Sequence, residues 1–199
     1  MEASRAAARA SARARILDAA VQLIAREGID DVRIARIAMQ AGVSASLLHY
    51  HFASRDSLLA EALEHSYALA GDVRTRLDEQ PRAAPVRLQS MIDHCLPLPG
   101  RLHDDWMLWV ELWLHAGRRP ELRPTAARLY ARLHEWFSEA IADGEAGGDF
   151  VVEDRARTVD HLLALLDGYG IRALIDDFSI ARAREEIWAA IAPELHVSE

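Results

Sequence analysis

"RIARIAMQAGVSASLLHYHFASRDSLLAEAL", residues 33–63, decides the fold. Ile34, Ile37 and Ala38 recur at helical spacing. Gly42 stops that pattern, and Ser44 is a good N-cap for a second short helix over about 45–51. Two short helices broken for so few residues predict a helix-turn-helix. Its turn needs a residue tolerant of an unusual backbone, which Gly42 supplies. Its crossing needs a small side chain, which Ala38 supplies. Val43 with Leu47 or Leu48 can knit the pair onto a preceding helix marked by Ile16, Ala20, Leu23 and Ile24 and ended by Gly28. The second short helix then offers Ser44, Ala45, Ser46, His49 and Tyr50 outward. These are small or hydrogen-bonding groups suited to a DNA groove and its phosphates. His51 and Phe52 are expected to pack inward.

Outward from this stretch, helix patterns continue and no alternating strand pattern persists. Ser54 caps a long fourth helix with Asp56 in its first turn, running to about Glu79. Pro81 and Pro85 bracket a break. Further helices are expected over about 86–96, 102–116, 121–143, 153–176 and 179–192, with "DGEAGGDF" (143–150) as a loop. The expectation is an all-α chain of roughly nine helices. Residues 1–53 would form a DNA-binding head with an Arg-rich N-terminal arm, and, as a family resemblance carried by residues 14–63 implies, 54–199 an effector-binding and dimerisation domain.

Charge is split along the 199 residues. Every one of the 23 basic residues is arginine. Residues 1–60 carry eight Arg against six acids, net +2, and residues 61–199 carry fifteen against twenty-five, net −10. A basic head on an acidic body predicts a polyanion met by the head alone. Arg5, Arg9, Arg13 and Arg15 make up the arm. That opening has no apolar core of a secretory signal, and no long uncharged apolar run suggests a membrane span, so cytoplasmic placement is expected. Cys95 stands alone, which excludes an internal disulfide and is expected to be buried and inert. No metal site, cofactor or catalytic constellation is expected. His49 and His51, two apart on a helix, cannot share a metal, and no GxSxG, HExxH or phosphate-binding glycine loop occurs.

The segment "ARILDAAVQLIAREGIDDVRIARIAMQAGVSASLLHYHFASRDSLLAEAL", residues 14–63, resembles the tetracycline-repressor (TetR) family of one-component regulators. The resemblance implies a recognition helix near 45–51, a phosphate contact at Tyr50, and Arg55 in place of a common lysine at the start of the fourth helix. Arg33 stands where the family often has Thr, and His49 where it often has Tyr. "LWVELWLHAGRRPELRPTAARLYARLHEWF" with "LLALLDGYGIRALID" resembles the choline/betaine-pathway regulator subfamily. The family implies a homodimeric repressor, bound to a palindromic DNA operator and released by a small molecule. An activator, or a helical ligand-binding protein or enzyme that keeps the head, are the alternatives.

Trp106, Trp109 and Trp113 share one helical arc with Asp105. Core packing explains them as well as an aromatic ligand cavity does. If they line a cavity, a hydrophobic or quaternary cationic effector is favoured, because ring faces attract cations. Tyr67, Met91, His94, Cys95, Tyr130 and Trp136 are further pocket candidates. Leu162, Leu166, Tyr169 and Ala173, with Ile187 and Ile191, form apolar stripes near the end of the chain. Either the domain's own core or a second copy could cover them, and the family resemblance favours the second copy.

Overall fold

The structure is a computed structural model that describes residues 2–78 and 83–196, with side chains described for 11–68 and 83–196. The expected break at Pro81 and the side chains of Arg5 and Arg9 lie outside the described residues. Within them the chain is all-α, with nine α-helices and no strand. They are α1 (Glu2–Glu27), α2 (Ile34–Ala41), α3 (Ala45–His51), α4 (Arg55–Asp78), α5 (Ala84–His94), α6 (Arg101–Arg118), α7 (Arg123–Gly147), α8 (Arg155–Leu174) and α9 (Ile180–Leu195). A 3₁₀ turn, Pro120–Leu122, precedes α7.

Internal contacts divide the chain into two compact units. The first is Met1–Ala70 with Asp104–Ala127, and the second is Gly71–His103 with Arg128–Glu199. This puts the start of α4 and most of α6 with the head, unlike a boundary at residue 53. In the first unit, Ile16, Ala20 and Ile24 of α1 are fully buried with Ile37 of α2, Leu58 and Leu59 of α4, and Leu108 and Leu112 of α6. Ser54 begins α4 with a reciprocal cap: the Ser57 amide donates to Ser54 Oγ at 3.0 Å and the Ser54 amide to Ser57 Oγ at 3.1 Å.

The second unit closes around Phe137, with Met91 and Ile92 from α5, Ile141 from α7, and Leu162 and Ile187 from α8 and α9. Asp154 and Ser179 cap α8 and α9, accepting from the amides of Arg157 and Arg182. Two sequence expectations are corrected here. The stretch expected to loop from 143 is helical to Gly147. Gly144 sits inside α7 because Phe150 folds back onto it, where a Cβ would come within 2.2 Å of the ring. Gly148, at φ +81°, makes the turn. Second, the stripe expected to meet another copy faces this unit's own core. Leu162, Leu166, Ala173, Ile187 and Ile191 are buried within the single chain, and Tyr169 packs against the same cluster, its ring 5.2 Å from Phe178. Periodicity showed that α8 and α9 have an apolar face but not what covers it.

Candidate DNA-reading head and effector site

Between α2 and α3, Gly42 adopts φ +65°, and the amide of Val43 donates back to the Ala38 carbonyl at 2.9 Å, which closes α2. Ser44 then opens α3, its Oγ accepting from the Leu47 amide at 3.2 Å. Only Leu48 of α3 is fully buried, with Phe52 behind it and Ile37 and Ala38 opposite on α2. That inward anchor turns Ser44, Ala45, Ser46, His49 and Tyr50 to solvent together. Tyr50 is 69% exposed. Its ring stands edge-on to His51 at 5.4 Å. His51 is half-buried and its Nε2 is buried without a hydrogen-bond partner, while Phe52 is buried. A short helix with one buried residue and, counting its Ser44 cap, five outward polar or small ones is a surface built to be applied to something else.

The arginines divide by role. Arg33 is exposed at the start of α2 and its side chain makes no cap bond. Arg55 donates through Nη1 to the carbonyls of Ile29 and Asp30, so it ties the first turn of α4 to the α1–α2 turn. Sequence did not foresee that intramolecular role. Arg13 pairs with Glu61 and its guanidinium lies 5.8 Å from the Phe52 ring centre. Arg15 Nε donates to the Ala41 carbonyl at 3.1 Å. These two arm arginines therefore hold α1 against α4 and α2.

Three residues that sequence reasoning missed cluster at the C-terminal end of α6: Glu111 and His115 on the helix and Arg119 just past its end. Glu111 Oε2 accepts from the Ile29 amide at 2.9 Å. His115 Nε2 lies 3.3 Å from Glu111 Oε2 and 3.8 Å from Asp30 Oδ2. Arg119 bridges Asp30 at 3.2 Å and Asp56 of α4. Its hydrogen bonds to Asp56 and then Asp30 raise the proton affinity of the guanidinium further. The visible signal was the Glu-x3-His spacing, which stacks Glu111 and His115 on one face of α6.

About 170° around α6 from Glu111 and His115, at 100° per residue, lie the tryptophans. Trp106 and Trp113 meet edge-to-face at 5.9 Å, and Trp109 tilts against Trp113 at 6.0 Å. Trp106 is buried, whereas Trp109 and Trp113 are half-buried. Asp105 accepts a hydrogen bond from the buried Ser66 hydroxyl of α4, and Tyr67 is half-buried on the same helix. The other pocket candidates belong to the second unit. Met91 and Trp136 are core residues there, with Cys95 and Tyr130 packed against them and His94 edge-on to Trp136 at 6.5 Å. Tyr130 Oη donates to Asp167 Oδ2 at 2.6 Å. Burial holds the Asp167 carboxyl above the ordinary carboxylate range, against the lowering effect of that hydrogen bond. Among the described residues no cluster of three His, Cys, Asp or Glu could hold a metal, and no helix is long and apolar enough to cross a membrane.

Residues 81–196 match the family described as "BetI-type transcriptional repressor, C-terminal", and residues 16–62 match "Bacterial regulatory proteins, tetR family". The chain belongs to the BetI-type repressors of the TetR family. It is a ligand-responsive, DNA-binding transcriptional regulator. The tetR-type match begins at Ile16, the first fully buried residue among the side chains described in α1, and ends at Ala62 in α4, so it takes in all the outward residues of α3. Relatives agree in kind. The HTH-type transcriptional regulator BetI of Proteus mirabilis is 26% identical over 182 residues, covering 85% of this chain and 84% of its own. A transcriptional regulator from Saccharomonospora viridis, solved in complex with choline, is 31% identical. It has a TM-score of 0.79, with 96% of this chain and all of that one covered. A TetR-family regulator from Rhodococcus sp. is 29% identical with a TM-score of 0.83, covering 94% of this chain and 99% of that one.

Proposed function

We propose that this chain is a homodimeric repressor whose two heads bind a palindromic operator. A quaternary ammonium of the choline class, seated against the α6 tryptophans, releases it. Residues 1–53 would carry the DNA contacts, and 54–199 the effector site and the dimer seam, in the cytoplasm where the DNA lies. Two-fold heads fit successive major grooves only about 34–36 Å apart, or at a multiple of that spacing. A ligand that prefers another spacing by a few kcal/mol depletes the DNA-binding form. Tyr50 and Arg33 would hold phosphates, and Ser44, Ala45, Ser46 and His49 would approach the groove.

The observation that carries the effector reading is α6: Trp113 meets the rings of both Trp106 and Trp109, with Asp105 beside them on the helix. Ring faces attract a cation by about 0.5–2 kcal/mol each. The acidic residues 61–199 add favourable steering. A relative solved with choline supports the same chemistry.

For the seam, the outward face of α8 replaces the buried stripe. It carries Ala164, Gly168 and Ile171, and Ile175 just past the end of α8 is 68% exposed. A Cβ at Gly168 would meet nothing in the single chain. A mid-helix glycine costs about 1 kcal/mol against alanine, so its use there fits the close approach of a second copy. Tryptophan fluorescence titrated with choline, with its neutral carbon isostere and with a carboxylate tests the effector. Choline should bind at least about tenfold more tightly than the isostere. Equal affinities, or tighter binding of the carboxylate, remove the cationic effector.

A further inference from the structure

The α1–α2 turn is held by groups outside the three helices of the head. The Ile29 amide goes to Glu111 of α6, and the carbonyls of Ile29 and Asp30 go to Arg55 of α4. The Asp30 carboxylate faces His115 of α6 and Arg119 just past that helix. Ile29 is fully buried, so without Glu111 its amide is a stranded donor. Approach is close at this point, since a Cβ on Gly28 would sit 3.2 Å from Glu111 Oε1. The turn leads directly into α2, which α1 holds through Arg15 on the Ala41 carbonyl and Gln22 on Gln40.

We infer that Glu111, with His115 and Arg119, is a positioning clamp for the DNA-reading head: it fixes the α1–α2 turn, and a shift of α6 reaches α3 through it. The clamp is polar where the core beside it on α6, Leu108 and Leu112, is apolar, and the difference has a consequence. Apolar surfaces slide by an ångström at little cost, but a hydrogen bond of 2.9 Å is lost when stretched by that much. The clamp therefore has made and broken states, which a switch requires. Glu111 and the tryptophans lie on opposite faces of one rigid helix, so displacement at one face must move the other. This last step rests on the reading of the aromatic face as the effector site.

The full-length protein tests it in two arms, hydrogen exchange without ligand and operator affinity on DNA flanking its own gene. Glu111→Ala should speed exchange at residues 29–33 and through α3 by roughly tenfold, the size of one charge-assisted hydrogen bond. Exchange in α8 and α9 should not change. Operator affinity should fall by a similar factor, while choline binding to the DNA-free protein, read from tryptophan fluorescence, stays within about twofold. Glu111→Gln keeps one acceptor oxygen and should recover most of both losses. A folded Glu111→Ala variant whose exchange rises uniformly over the first unit, or whose α3 exchange and operator affinity stay within about twofold of wild type, overturns the clamp. If choline fails to bind the wild-type protein the effector reading falls, and the exchange arm still decides the clamp.

Discussion

Helix α3 and helix α8 hold their places by opposite means. Seven residues long, α3 buries Leu48 alone, and the polar bonds from α1, α4 and α6 hold α2 and the α1–α2 turn before it. Twenty residues long, α8 buries seven and packs against α9 and the core of the second unit. A helix with little adhesion of its own can be re-aimed without unfolding, whereas one whose buried face is core cannot. On the proposed mechanism, the head is the moving part of the repressor and the closing helix pair the fixed part.

The largest effect that would test this contrast is Leu166→Arg. A charge forced into the α8 core should cost about 3–5 kcal/mol and unfold the second unit, seen as lost cooperativity in chemical denaturation. A folded variant would show that α8 does not face inward. Ala164→Arg, on the outward face of the same helix, should keep the fold but halve the mass in sedimentation. An intact dimer in that variant moves the seam elsewhere. In the first unit, Trp113→Ala removes a ring that meets two others and should weaken choline binding roughly tenfold without changing assembly.

Smaller effects separate the arginines. Arg33→Ala should lower the slope of log affinity against log salt by about 1, as for one lost phosphate contact. Arg55→Ala should leave that slope unchanged while reducing thermal stability, because its guanidinium serves the carbonyls of Ile29 and Asp30. A reduced slope for Arg55→Ala would give it a phosphate as well. The smallest effect lies in the second unit. A carboxyl whose folded pKa is raised contributes stability that is fully present below its unfolded pKa and is lost as pH rises through the folded value. Asp167→Asn, which keeps an acceptor for Tyr130, should therefore raise the thermal midpoint at neutral pH. That gain should fade as pH falls below the raised carboxyl value. A gain independent of pH would place Asp167 in water.

The head was legible because its signals are local. Gly42 had one backbone to adopt, Ser44 one amide to cap, and Ile37 and Leu48 one side to face. The clamp was not legible, since Glu111 reaches a partner 82 positions away and Arg119 one 89 positions away, and nothing in a charged helix face names such partners. Glycines at 144 and 147 suggested a loop because sequence shows the missing side chain but not the Phe150 ring that uses the space. The α8 stripe failed for a related reason: an apolar face looks the same whether its cover is the same chain or another copy.

Operator binding with and without effector tests the central claim most directly. Fluorescence anisotropy on DNA flanking the gene, at fixed salt, should show saturable binding by the ligand-free protein. Choline should weaken that binding at least about tenfold, which is a coupling of roughly 1.4 kcal/mol, while its neutral isostere leaves it unchanged. Binding that ignores choline at concentrations that saturate the tryptophan signal would contradict release through α6.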